Sequence, residues 1–413
     1  MPAPGGGPSS CVNGDRPPER PLEAVVTGAE RGWAWVDHLR SGGSTPWHDF
    51  AGTASAPRAG ARLLPGAIQL EVARRLNAAG GRDDTAHRDL VDAVLGASAP
   101  GRGQPDLELV GVHDGSRFGP PPVDPADLPL EELVRMAVGV LADQALARPA
   151  PPLTEHRRLP VPWRRDLRLA GDPLSAEHTR DALLAAGLRP GLRSPVVVLH
   201  ADDLPGMLAD VWTWRVQHGV TPSWNWWVGH WARRDDLPPR VDLAAVAAAW
   251  AGRVGRDRVH VVVGTPPATL VGTAIPPRPE PLSADAGELL TRVNGVLRVL
   301  VTPERHQLLL DQVLVPLLTD ERGARPAVPP RLRDWVAGRA ERLVEDLSRA
   351  GYPVHGELAS LLPRSREEPA ATTGAGVLDV ALRALLRTRT ADPTNDQTRH
   401  EATGAAGARE VER

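Results

Sequence analysis

The chain contains no lysine; all 48 of its basic residues are arginine. GC-rich coding accounts for such usage, but the chemical consequence stands. No lysine is present to cradle a phosphate, form a Schiff base or serve as a base of lowered pKa. There is one cysteine, Cys11, in a Gly/Pro/Ser-rich stretch. A single cysteine excludes a disulfide framework and a cysteine metal site, and fits a cytoplasmic protein. No apolar run approaches the ~20 residues of a membrane span. The N-terminus lacks a charged-then-apolar signal pattern. The net charge of −3 argues against a general nucleic-acid binder. Tyrosine and phenylalanine are nearly absent, one and two residues against twelve tryptophans.

What is present is punctuation. Forty-three prolines and forty glycines imply many short elements with firm loops. No repeat of 20–50 residues is visible. Residues 1–20 have the composition of a disordered tail. A mainly helical N-terminal domain is expected over 21–147, with helices at Leu64–Leu76, Asp89–Leu95 and Leu130–Leu146. Ser44-Thr-Pro-Trp47-His48 reads as a loop into a short helix, and the alternation over Leu107–Val112 reads as a strand. A Pro/Arg-rich linker follows over 148–163.

From 164 to 363 strands and helices alternate, the pattern of a parallel α/β domain. Strands are expected at Leu167–Ala170, Val196–His200 and Arg258–Val263. Helices are expected at Leu174–Ala186, Leu204–His218, Val241–Val254, Ala284–Leu300, Pro303–Leu318 and Leu332–Ala350, with a Pro-rich loop over Thr265–Pro281. Gly351-Tyr-Pro is a C-cap and stop. Residues 364–413 read as a polar tail with one amphipathic segment, Val377–Leu386, suited to docking on the body or on a partner.

The central stretch is Val196-Val-Val-Leu-His200-Ala-Asp202-Asp203, followed at once by a helical pattern with Asp203 as N-cap. Ligands of parallel sheets sit at the carboxyl ends of strands, where His200, Asp202 and Asp203 fall.

From about Leu167 to Pro363 the chain resembles the bacterial sulfotransferase-like family. The passages that carry the likeness are Ala201-Asp-Asp-Leu-Pro-Gly-Met-Leu-Ala-Asp-Val-Trp212, Asp242–Trp250 with Asp257–Val263, Glu288–Asn294, and Trp335–Val344 with Gly351–Pro363. The resemblance implies a P-loop-like fold and 3′-phosphoadenosine 5′-phosphosulfate as cofactor. It also implies a Gly-x-Pro-Lys-x-Gly-Thr-Thr loop after the first strand, holding the phosphosulfate with backbone N–H groups and a lysine. The counterpart here is Leu167–His178. Gly171 and Pro173 fit, but Leu174 stands for the lysine, Ala176 for the glycine and Glu177 for a threonine. In the family an Arg and a Ser after the next strand bind the 3′-phosphate; Asp202 and Asp210 stand there.

Carboxylates against phosphates predict lost cofactor binding. The expectation is a non-catalytic binding or accessory protein, with surface-glycan or cell-envelope metabolism the context that the resemblance implies. The candidate loop residues are Gly171, Pro173, His178 and Arg168, with Asp202 and Asp210 marking a lost phosphate site.

Two alternatives compete. In one, an active transferase uses arginine for lysine, with Arg164, Arg165 and Arg168 flanking the first strand. In the other, His200-Ala-Asp202-Asp203 holds Mg²⁺ or Mn²⁺ for a nucleotide-sugar glycosyltransferase. Neither His218 nor His230 has metal-ligand spacing, so no metal site is expected. Ser175, Ser194 and Ser223 lack a nucleophile elbow.

The tryptophans between Trp212 and Trp231 suit either a core or a glycan- or protein-binding surface. Adjacent Trp226 and Trp227 cannot share one helix face, so at least one should be exposed or at a domain interface. Arg102, Arg117 and His113-Asp114 read as solvated loop residues or an anion site. Arg233-Arg234-Asp235-Asp236 reads as a self-neutralising turn.

Overall fold

A computed structural model describes residues 27–53, 64–80, 85–97, 107–112, 120–148, 167–188, 195–364 and 372–390. The expectations for residues 1–20, Cys11, Arg102, His113-Asp114, Arg117, Arg164, Arg165, Ser194 and most of the 148–163 linker lie outside them.

Among the described residues the N-terminal part holds four α-helices: α1 (Gly28–Arg40), α2 (Ala67–Ala79), α3 (Thr85–Gly96) and α4 (Leu130–Ala147). Helix α1, for which no specific expectation existed, begins with a reciprocal capping box. Thr27 Oγ1 accepts from the Glu30 N–H, and the Thr27 N–H donates to Glu30. A 3₁₀ turn at Trp47–Asp49 follows the Ser44–Pro46 loop. The strand expected over Leu107–Val112 is not formed. Leu109 makes an isolated bridge to Val123, because no neighbouring ladder extends the alternation.

The second part holds a four-stranded parallel sheet in the order β1 (Leu167–Gly171), β2 (Val196–Ala201), β3 (Val259–Val263), β4 (Val354–His355). The register pairs Gly171 with His200 and His200 with Val262. Helix α5 (Pro173–Ala185) joins β1 to β2. Helices α6 (Leu204–Gln217), α7 (Trp224–Arg233) and α8 (Leu243–Val254) join β2 to β3. One face of the sheet carries Val197, Leu199, Val259 and Val261 into the main core. The other carries Leu167, Val198 and Val262 against Leu183 of α5 and Val271 of the short α9 (Ala268–Val271). Both faces are covered, which is why these strands are nearly continuous apolar runs. The protein is therefore α/β, with a parallel sheet and mostly helical content.

The remaining helices are α10 (Ala284–Leu300), α11 (Pro303–Leu309), α12 (Val315–Thr319), α13 (Arg333–Ala350) and α14 (Gly374–Thr390). The single helix expected over Pro303–Leu318 is broken by a π-turn at Leu310–Leu314. Pro316 lacks an N–H and crowds the turn before it, and the wider turn relieves both. Gly351 caps α13 in the left-handed conformation at φ 66°, and β4 follows.

Helix α14 extends beyond the expected Val377–Leu386 and docks on the body, packed against α4 and α10. Val377, Leu378, Ala381 and Leu385 enter the core that also holds Leu133 and Leu141 of α4 and Leu289 and Leu290 of α10. Arg383 and Arg387 from α14 both reach the buried Glu321.

The tryptophans divide as the helix geometry requires. Trp212, Trp224 and Trp227 are buried, with successive ring centroids 5.8 Å apart, while Trp226 is 54% exposed. Gly287 lets α10 approach Trp212, since a Cβ there would lie 2.6 Å from the ring. The Arg233–Asp236 turn is not self-neutralising. Asp235 instead meets α13, accepting from Trp335 Nε1 at 3.1 Å, with Arg339 donating to its carbonyl at 3.1 Å.

Candidate functional site

Four elements converge at the carboxyl end of the sheet: the β1–α5 turn, the end of β2, the second turn of α6, and the Pro-rich segment after α9. Gly171 ends β1 at φ 84°, a conformation open to glycine. A Cβ there would stand 2.3 Å from the His200 carbonyl oxygen. This close approach lets the Asp172 N–H donate to that carbonyl at 3.0 Å. Asp172 then caps α5, with Pro173 at its first position.

The Asp172 carboxylate is wholly buried and lies at the N-terminus of α5. It accepts from the Leu174 N–H at 3.2 Å and from the Ser175 hydroxyl. Arg278 Nη1 donates to it at 2.9 Å and to Ser175 Oγ at 2.9 Å. The other arm of Arg278 pairs with Asp210 of α6 at 2.7 Å. Asp210, also wholly buried, is held on its second oxygen by Arg325. One guanidinium thus bridges two buried carboxylates, and a second closes the network.

Burial, then the nearby Asp210 charge, push the Asp172 pKa from 3.8 up to about 7 against the opposing pull of Arg278. A carboxyl group with a raised folded pKa binds its proton more tightly in the native state. Its contribution to stability is therefore full below the unfolded value and is lost as pH rises through the folded one. Asp172→Asn should remove this dependence. Relative to the parent, the variant should gain stability at about 1.4 kcal/mol per pH unit between about pH 4 and about pH 7. Urea unfolding at pH 5 and pH 8 measures it; an equal difference at both pH values would contradict the assignment.

His200 lies beneath this cluster at the end of β2, only 1% exposed. Among the described residues neither ring nitrogen has a hydrogen-bond partner. Burial, and then the charges of Arg278 and His178, push its pKa down to about 4, so the ring is neutral at ordinary pH.

The other sequence candidates disperse. His178 donates from Nε2 to the Pro276 carbonyl at 2.8 Å and so fastens the Pro-rich segment to α5. Glu177 turns sideways and accepts from Trp214 Nε1 at 2.7 Å, tying α5 to α6. The Trp214 ring centroid lies 4.1 Å from that of His218, and the Arg240 guanidinium lies over the ring at 4.2 Å. Asp202 accepts from the Asp203 N–H at 2.8 Å and from Arg364 at 2.9 Å. Asp203 is the N-cap of α6, accepting from the Gly206 N–H at 2.8 Å, and also lies 3.5 Å from Arg364. Arg168 is mid-strand, and by strand alternation it faces away from the side shared by Leu167, Leu169 and Gly171. The structure therefore brings Gly171, Pro173 and Asp210 to the cluster, and leaves Asp202 at its rim.

Arg278, Arg325 and Arg364 were not among the expected residues. Arg278 lies 106 positions from Asp172, Arg325 lies 115 from Asp210 and Arg364 lies 162 from Asp202. One local signal marks them: each adjoins a proline, in Pro277-Arg278-Pro279, Arg325-Pro326 and Pro363-Arg364. Prolines fix the backbone from which each guanidinium projects.

Among the described residues no group of three or more His, Cys, Asp or Glu side chains is placed to hold a metal ion. No helix among them is long and apolar enough to cross a membrane. These features define an α/β protein with a buried carboxylate–arginine cluster at the carboxyl end of its parallel sheet. Comparison with models of protein families, with curated proteins and with solved structures gives no match.

Proposed function

We propose that this chain is a non-catalytic binding or accessory protein built on a sulfotransferase-like, P-loop-like domain whose phosphate cradle is filled from within. One observation carries the reading: the place at the α5 N-terminus where an anion would sit holds the Asp172 carboxylate. A helix N-terminus, a hydroxyl and a guanidinium are the usual donors to a bound phosphate or sulfate. Here the Leu174 N–H, Ser175 and Arg278 all donate to Asp172. An anionic donor molecule would have to displace a buried carboxylate and leave Asp210 beside its own charge. Glu177, turned to Trp214, offers nothing to a phosphate.

In this reading the exposed face of α7 serves a glycan or protein partner. Trp226 stacks on His230 with centroids 5.4 Å apart. The surface-glycan setting rests on the family resemblance alone.

Thermal shift tests the reading. A nucleotide at a hundredfold over its Kd would stabilise the fold by about 2.7 kcal/mol, a readily measured shift. No shift is expected with millimolar 3′-phosphoadenosine 5′-phosphosulfate, or with a nucleotide sugar plus Mn²⁺. A phosphosulfate-dependent shift would instead favour the active-transferase alternative. A Mn²⁺-dependent shift abolished by Asp202→Ala would establish the glycosyltransferase one.

A further inference from the structure

Away from the cluster, two histidines meet across the last pair of strands. His260 Nδ1 lies 3.0 Å from His355 Nε2, and the rings are nearly parallel with centroids 5.2 Å apart. Strand alternation puts His260 on the face of Val262, and His355 is the register partner of Val262, so both rings share that face. Both side chains are half-buried and reachable by small ions.

We propose that His260 and His355 form a two-histidine site for a divalent transition-metal ion at the β3–β4 edge, with water completing the coordination. The spacing is the first argument. Metal–imidazole bonds are ~2.0–2.1 Å, so two imidazole nitrogens at a right angle about one ion stand ~3 Å apart. That is the separation already present. The second argument is rigidity. The Val261 N–H donates to the Pro353 carbonyl at 2.9 Å, ahead of the short ladder. Gly356, at φ 93°, follows His355 so closely against β3 that a Cβ would lie 2.7 Å from the Val263 carbonyl oxygen. The two ligands thus project from fixed strands on either side of one ladder, which keeps the ordering cost of chelation low.

In the hydrogen-bonded pair one ring nitrogen donates to the other. Loading needs that proton to move to the donor ring's second nitrogen, which frees both facing nitrogens for the ion. A pair of imidazoles, joined by no third His, Asp or Glu among the described residues, selects Zn²⁺, Ni²⁺ and Cu²⁺ over Mg²⁺ and Ca²⁺. Cu²⁺ should bind tightest.

Calorimetric titration of the full chain with NiCl₂, and separately with CuCl₂, tests the site, in a Cys11→Ser background that removes the only thiol. One equivalent should bind with micromolar affinity, and the Cu²⁺ electron paramagnetic resonance spectrum should carry splitting from two nitrogens. His260→Gln and His355→Gln should each weaken binding roughly tenfold or more, while His218→Gln, away from the pair, should not. Circular dichroism of the metal-free variants checks their folding. No saturable binding to the parent protein, copper without two-nitrogen splitting, or unchanged affinity in both folded glutamine variants would overturn the proposal.

Discussion

Arg278→Leu is expected to lower stability by roughly 3–5 kcal/mol at pH 8, the range for removing one partner of a buried ion pair. Arg278 is the guanidinium shared by Asp172 and Asp210, both wholly buried. Asp210 keeps Arg325 in the variant. Asp172 keeps only the Leu174 N–H and the Ser175 hydroxyl, neither of which supplies positive charge. Its pKa, already about 7, must rise further once the Arg278 attraction is gone. The loss is therefore pH-dependent: large at pH 8, where the parent ionises Asp172, and smaller at pH 5, where both proteins carry it neutral. Adding Asp172→Asn to Arg278→Leu should recover part of the pH 8 loss, because no ionised carboxylate then remains unpaired at the α5 N-terminus. Urea unfolding of the single and double variants at both pH values measures each term. A loss below ~1 kcal/mol, the range of exposed surface pairs, would mean that the cluster is solvated and the buried network wrong.

Gly171→Ala should cost roughly 3 kcal/mol or more. Two effects add at this residue. A left-handed backbone costs ~1–2 kcal/mol for any residue with a Cβ. The new methyl would also overlap the His200 carbonyl oxygen at 2.3 Å, a backbone atom that moves only if β1 and β2 separate. Separation would also break the Asp172 N–H bond to His200 and shift the cap of α5. Gly111 supplies the internal control. It has a similar φ of 77° but nothing within 4 Å of its Cβ position, so Gly111→Ala should cost only the strain. Thermal unfolding of the two variants side by side separates strain from overlap. Equal losses would show that the β1–β2 approach tolerates the methyl.

The two halves of the site differed in how far the sequence revealed them. Val196–His200 was legible because both sheet faces are buried and the strand is an apolar run. Asp203 was legible as N-cap because capping is local, and the Gly206 N–H confirms it. The α10 limits, Ala284–Leu300, were read as they stand, with Ser283 accepting from the Ala286 N–H. By contrast, β4 has two residues and no periodicity to detect.

The acidic positions show the same division. Asp202 and Asp210 were visible as carboxylates where phosphate-binding groups would be expected. Their arginine partners Arg278, Arg325 and Arg364 come from distant segments of the chain, and no local pattern encodes that distance. Glu177 was read as facing an anion; its actual partner, Trp214, depends on how α5 packs on α6.

The central claim is that Asp172 occupies the anion position at the α5 N-terminus. Calorimetric titration of the parent and Asp172→Asn with adenosine 3′,5′-bisphosphate at pH 8 tests it most directly. The account predicts no binding to the parent, whose donors at Leu174, Ser175 and Arg278 are all engaged by the ionised carboxylate. Micromolar binding to the parent, lost in Arg278→Leu, would contradict it.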